Sequence, residues 1–365
     1  MQYKHILIYN PFGIGDVLFS TPLIKVLAEN FSAARINYIC NERVYYLLKN
    51  SPHLNEIAIF EKDSLRNLAK SSKIRFLKEF IGFLKKIKSF KADIMIDLSL
   101  NYQVSLIGKF LGIPRRIGFN YRNRGRFLTD KIDLQGFEEK HVVLYYLGLL
   151  NLININVPRK IFTEAFTAQD DDIWADNFIG ERRLNKKFIL GIVPGGGKSW
   201  GKDARYRRWP VSKFAHVIDR LIGNLNVPII LFGDKDEKEL CDSMQSVIHN
   251  KVINLGGKTS LGQFMSLIKR CGLVLCNEGG SLHIAVALGV PTVSIFGPVD
   301  EKIYGPYSPD MSKHIIVSDR SKCKPCYSKF KYKNCDKIIC LDSISEDKVF
   351  DAVTKLMERV KDHRL

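Results

Sequence analysis

Two small-residue turns and one carboxylate are the parts of this sequence best suited to chemistry. Residues 278–281 read Glu278-Gly279-Gly280-Ser281, between the apolar runs 272–276 and 284–288. The glycines allow a strand to turn sharply into a helix. The free N–H groups and positive dipole end of that helix suit an anion, typically a phosphate. Ser281 is placed to cap the helix. Residues 194–199 (PGGGKS) follow a second apolar run, 188–193, and bring Gly195, Gly196, Gly197 and Ser199 into one loop. Such a loop can let a pyrophosphate approach the backbone while Lys198, Lys202, Arg205, Arg207 or Arg208 neutralises it. Glu237 and Glu239 come just after the Gly233-Asp234 turn, where a carboxylate can bind ribose hydroxyls. Asp16 follows Gly13 and Gly15 at the tip of the first strand, placed to take a proton from a bound hydroxyl. Neither a dinucleotide fingerprint nor a Walker A loop is present, because Leu18 stands where GxGxxG needs glycine and GxxxxGK[ST] does not occur.

Other clusters carry weaker signals. Residues 115–126 (RRIGFNYRNRGR) hold five arginines, including Arg115, Arg116, Arg122 and Arg124. Their forks suit phosphate and carboxylate groups, and arginine interleaved with aromatics also occurs in single-stranded nucleic acid sites. A solvated loop is the plain alternative. Residues 73–91 predict a helix with Ile74, Leu77, Phe80, Ile81, Leu84 and Ile87 on one side and seven cations on the other, which can lie on an anionic membrane or pack as a core helix. Cys323-x2-Cys326-x8-Cys335-x4-Cys340 begins with zinc-ligand spacing. Its basic surroundings favour thiolates; reduced structural thiols are the other reading.

The elements that must position these residues alternate. Strands are expected at 5–9, 35–40, 56–59 and 93–97, with helices between them, including one over 17–31 and one over 138–154. A second alternating series occupies 188–193, 227–232, 252–255, 272–276 and 290–296. Ser343 and Glu346 have capping-box spacing ahead of a last helix. This pattern predicts an α/β protein of two Rossmann-like doubly wound domains facing a central cleft, where ligands would bind. The expected boundaries are 1–165, 166–345 and a C-terminal helix, 346–365, packing back on the first domain. With 365 residues, 45% hydrophobic and 26% charged, the chain has material for two cores. No apolar run reaches the ~20 residues of a membrane helix, and no signal peptide is evident, so a cytoplasmic location is expected. The net charge of +18 favours polyanionic partners.

Taken in order, Gly15-Asp16 with Thr21-Pro22, Arg207-Arg208-Trp209-Pro210 and Asn277-Glu278-Gly279-Gly280-Ser281-Leu282-His283 resemble glycosyltransferase family 9, the ADP-heptose:lipopolysaccharide heptosyltransferases. The matches run from residue 5 to about residue 355. The resemblance implies a GT-B fold and inverting transfer of a sugar, heptose from ADP-heptose, to lipopolysaccharide core or a related glycan. It implies no catalytic metal and no cofactor beyond the ADP-sugar substrate. Asp16 would be the general base and Arg207 would neutralise the leaving diphosphate. Gly15, Gly195, Gly196, Gly197, Ser199, Glu237, Glu278, Gly279, Gly280, Ser281 and His283 would hold the donor. Arg115, Arg116, Arg122 and Arg124 would meet an anionic lipopolysaccharide or glycolipid acceptor at the cytoplasmic face of the inner membrane. The chain departs from the family at Glu278-Gly279, where Asp-Ser/Thr is usual, and in a longer segment between Gly197 and Trp209. Another nucleotide-sugar enzyme of the same fold is the alternative. A basic nucleic-acid-binding protein is a third reading, and no nucleic acid partner is expected because no RRM, KH or zinc-finger pattern occurs.

Overall fold

The computed structural model describes residues 3–196, 198–319, 321, 323–333, 335 and 337–362. The chain divides into two units, Met1–Ile161 and Phe162–Leu365. In the first, the strands are β1 (His5–Tyr9), β2 (Arg35–Cys40), β3 (Glu56–Ile59), β4 (Ile94–Asp97), β5 (Arg115–Tyr121) and β6 (Asp130–Leu134). In the second they are β7 (Leu190–Val193), β8 (Ile229–Leu231), β9 (Ile253–Asn254), β10 (Leu273–Asn277), β11 (Thr292–Phe296) and β12 (His314–Ser318). The sheet orders are β3-β2-β1-β4-β5-β6 and β12-β11-β10-β7-β8-β9, with every pairing parallel. Numbered within its own unit, each sheet runs 3-2-1-4-5-6, the Rossmann order. The expected pair of doubly wound α/β units is therefore present.

The central strands are buried on both faces, as a parallel sheet covered by helices requires. In the second unit, alternate residues of one strand enter different cores. Leu190 and Ile192 join one cluster, and Val193 joins the other. The last helix, Glu346–Asp362, puts Val349, Val353, Leu356 and Val360 into the first of these clusters. It packs on the helix Val211–Leu225 and on β11 and β12. Its apolar stripe is thus part of the core of the second unit, to which the helix belongs.

Local departures have local causes. The expected helix over 17–31 is two, Ile14–Phe19 and Thr21–Asn30, with Pro22 in the first turn of the second, where its missing N–H costs nothing. The expected helix over 138–154 is a shorter one, Val142–Gly148, followed by a 3₁₀ turn, Leu149–Ile153. Ser345, rather than Ser343, accepts from the last helix (Lys348 N, 3.3 Å), while Ser343 bonds back to Ile339 O at 2.7 Å. Strand β5 lies inside the arginine-rich stretch, for which a solvated loop is the plain alternative reading. Ile117, Phe119 and Tyr121 are buried in alternation, and the charges sit at its ends.

Candidate active site

In an open α/β sheet ligands bind beyond the carboxyl ends of the strands, where strand order reverses. In the second unit that point lies between β7 and β10. Both glycine turns emerge there.

Asn277, at the end of β10 and 2% exposed, joins the two turns. Its amide donates to Pro194 O (2.7 Å) and Gly195 O (3.3 Å), and its Oδ1 accepts from Trp209 N (3.0 Å). Trp209 is itself buried and donates from Nε1 to Ile344 O at 3.2 Å. Glu237 braces the first turn from the other side. Its Oε1 accepts from Gly196 N at 2.7 Å, and its Oε2 accepts from Asp234 N at 3.1 Å. Arg208 adds a bond from Nε to Gly196 O (3.1 Å) and an ion pair with Glu237 (3.8 Å). A Cβ at Gly195 would overlap the Glu237 carboxylate, so any side chain there must displace it.

The second turn is shaped by Gly279, at φ 153° and ψ −167°, a region open essentially to glycine alone. The helix Gly280–Ala287 follows. Its N-cap is Gly279, and Ser281 lies inside the first turn making no capping bond, which corrects the expected Ser281 cap. His283 is buried on this helix. Glu278 is 4% exposed and bound to Arg207: Nε donates to Oε2 at 2.6 Å, and Nη2 donates to the same oxygen. Arg207 is therefore half of a buried ion pair rather than a solvent-facing cation. It ends the 3₁₀ segment Lys198–Arg207, whose path breaks at Gly201. Gly197 and the side chain of Ser199 lie outside the described residues.

In the first unit the reversal lies between β1 and β4. Gly15 and Asp16 occupy the first turn of the helix Ile14–Phe19, and Asp16 is half-buried. The loop before it is held by two asparagines. Asn10 Oδ1 accepts from Phe12 N (3.2 Å) and its amide donates to Asp16 O (3.2 Å), while the Asn41 amide donates to Phe12 O (2.7 Å). Across the reversal, Asp97 ends β4 opposite Tyr9. Burial pushes the Asp97 carboxyl up to about 6, although Ser99 donates to it from its backbone N–H at 2.9 Å. Asp97 in turn adds to the burial that raises Tyr9.

The four arginines expected to meet an acceptor separate. Arg115 and Arg116 open β5, at the edge opposite the Asp16 turn. Arg115 binds Asp130 through Nε and Nη2 (both 3.2 Å), Tyr3 Oη (2.6 Å) and Leu152 O (2.5 Å). Arg116 binds Phe127 O (2.8 Å), Pro114 O (3.3 Å) and Ile113 O. Neighbouring carbonyls, Tyr3 and Asp130 take up donors of both guanidinium groups. Arg122 and Arg124 lie past the carboxyl end of β5, exposed, with guanidinium carbons 4.9 and 5.9 Å from the Tyr121 ring centroid. Arg126 stacks over Tyr102 at 4.4 Å.

The cysteines form no disulfide, and among the described residues no three His, Cys, Asp or Glu side chains are arranged to hold a metal ion. Burial raises Cys326 and pushes Cys340 up to about 11, against the thiolates expected from basic surroundings.

Asn277 stands in the sequence motif without a role of its own, and Asp97 only as the end of an expected strand. Each is a polar residue closing an apolar strand, and that was the available signal.

The sequence model of glycosyltransferase family 9 (heptosyltransferase) matches residues 81–336. The chain is 22% identical over 302 residues to lipopolysaccharide heptosyltransferase 3 of Escherichia coli K12, covering 80% of this chain and 83% of that one. Among solved structures it resembles the glycosyltransferase family 9 protein of Veillonella parvula, with a TM-score of 0.80 and 23% identity over 98% of each chain. It also resembles ADP-heptose lipopolysaccharide heptosyltransferase II of E. coli, with a TM-score of 0.75 and 20% identity over 99% of this chain and 100% of that one. These neighbours share the fold.

Proposed function

The chain belongs to glycosyltransferase family 9 (heptosyltransferase), and from that membership we propose that it moves a heptose from ADP-heptose to a hydroxyl of lipopolysaccharide core or a related glycan, with inversion at the anomeric carbon. The reading rests on one observation above others. Two glycine turns flank the strand reversal of the second unit: Asn277, Glu237 and Arg208 hold the first in place, and the second opens on a helix N-terminus. Preorganised N–H groups of this kind suit the diphosphate of a nucleotide sugar.

Asp16 takes the proton of the acceptor hydroxyl as its oxygen bonds to the anomeric carbon. The bond from that carbon to the diphosphate oxygen breaks, and the electron pair leaves with ADP. The N–H groups at Gly279 and Gly280, the guanidinium of Arg208 and that of Arg207, oriented by Glu278, stabilise the growing charge. Glu237 spends one acceptor interaction of each oxygen on backbone N–H groups, and each oxygen has a second lone pair to offer a ribose hydroxyl. Arg122 and Arg124 meet the phosphates of the acceptor, which sets the reaction at the cytoplasmic face of the inner membrane. The protein groups supply the stabilisation, so transfer is expected to survive chelation by EDTA.

The test is a transfer assay with a panel of nucleotide sugars and lipopolysaccharide core acceptors, run on the parent and on Asp16→Asn. ADP-heptose is expected to be the best donor. The variant should lose about 10²–10⁴-fold in turnover while binding ADP as the parent does. Near-parental turnover by Asp16→Asn would remove Asp16 as the base.

A further inference from the structure

The helices Lys62–Ser71 and Lys73–Ser89 pack against each other on the β3 side of the first unit. The first buries none of its residues, and the second buries only Ile87. The pair is fastened at its far end. Phe83 stacks on Phe60 with ring centroids 4.1 Å apart, and Lys86 binds Glu56.

At 100° per residue, Phe76, Phe80, Phe83 and Ile87 share the inward arc of the longer helix. The opposite arc carries Ile74, Leu77 and Ile81, which are 83%, 55% and 41% exposed. Lys78, Lys85 and Lys88 fall on that same outward arc, all exposed. The division into an apolar and a cationic side expected from the sequence is therefore replaced by an outer face on which both kinds of residue alternate. Residues 62–91 hold ten Lys or Arg against two Asp or Glu, so this short stretch supplies eight of the chain's eighteen excess positive charges.

We propose that this face docks on the surface of an anionic phospholipid bilayer, with Ile74, Leu77 and Ile81 entering the acyl boundary and Lys78, Lys85 and Lys88 reaching the phosphates. Aliphatic side chains beside lysines that can extend to headgroups are what an interfacial helix needs. The charge argues against a second copy as the occupant, because two such faces would repel. Nucleic acid would use the cations but has no place for three aliphatic side chains. No helix among the described residues is long and apolar enough to cross a membrane, so contact of this kind lies on the surface. The inference stands on this face alone, although it deepens the reading of where transfer takes place.

The test is sedimentation of the full chain with vesicles of phosphatidylcholine, alone or with one part in four phosphatidylglycerol. Two triple variants are compared, Ile74→Ser/Leu77→Ser/Ile81→Ser and Lys78→Gln/Lys85→Gln/Lys88→Gln. The parent should prefer the anionic vesicles, and each triple should weaken that binding about tenfold or more, with the melting temperature and transfer to a water-soluble deacylated core acceptor unchanged. Equal binding to both vesicle types, or full binding by the Ile/Leu triple, overturns the inference. So does RNA binding or self-association that the triples abolish in a chain that ignores vesicles. Vesicle binding without transfer from any nucleotide sugar would sink the functional reading and leave the docking face standing.

Discussion

Replacing Glu278 with glutamine would leave the Arg207 guanidinium buried and uncompensated. The two side chains are 5% and 10% exposed and joined by two hydrogen bonds to one oxygen. Two unit charges ~4 Å apart attract by about 4 kcal/mol at an effective dielectric constant near 20. Removing one partner of a buried pair typically costs about 3–5 kcal/mol, whereas replacing both by apolar residues is often neutral. A glutamine carbonyl oxygen can still accept both bonds but carries no charge to offset the guanidinium, so Glu278→Gln should destabilise the second unit by about 3 kcal/mol. Arg207→Met should cost a similar amount through the stranded carboxylate. The double variant Arg207→Met/Glu278→Gln should lose no more than either single variant, about 3 kcal/mol where simple addition gives about 6, a coupling energy of about 3 kcal/mol. Urea unfolding followed by tryptophan fluorescence suits the measurement, because Trp174, Trp200 and Trp209 all belong to the second unit. If each single variant loses less than about 1 kcal/mol, or if the losses simply add in the double, the pair is not the buried, coupled unit described here.

Three further outcomes follow from the same geometry. Gly195→Ala drives the Glu237 carboxylate off Gly196 N and should raise the calorimetric Kd for ADP about tenfold, the equivalent of ~1.4 kcal/mol. An unchanged Kd would separate that loop from the donor. Asp97 keeps its proton to about pH 6 in the folded state, whereas the unfolded chain releases it near the ordinary carboxyl value. Stability should therefore fall as pH rises from about 4 to 6, by on the order of 3 kcal/mol. Asp97→Asn should flatten that fall in urea titrations across the window, and a parent whose stability rises there would contradict the assignment. Arg115→Gln should lower the unfolding midpoint and leave the acceptor KM alone, whereas Arg122→Ser/Arg124→Ser should raise the acceptor KM with the midpoint unchanged. The reverse pattern would restore Arg115 as an acceptor ligand.

Much of the architecture is legible in the sequence because its signals are short-ranged. A buried parallel strand is a run of apolar residues, and a strand-to-helix turn shows its glycines within a few positions. That was enough to locate both glycine turns, Asp16 and the alternation that makes two Rossmann-like units. Boundaries shifted where one residue outweighed the pattern, as Pro22 did. Strand β5 was hidden because arginines at its ends masked the alternation of Ile117, Phe119 and Tyr121.

Pairing across the sheet was not legible. Arg207 meets Glu278 across 71 positions, and Glu237 meets Gly196 across 41. Neither separation carries a period, because the first depends on β10 lying beside β7 and the second on β8 lying on the other side of β7. The same holds for Arg115, which the sequence offers as a free cation and the fold assigns to Asp130 and Leu152 O. The sequence by itself determined which residue types stand at the strand ends, since backbone preference and hydrophobic burial act locally. Only the tertiary structure decided which of those charges are spent on one another and which face outward, because long-range charge pairing follows strand order, and strand order is a property of the packed sheet.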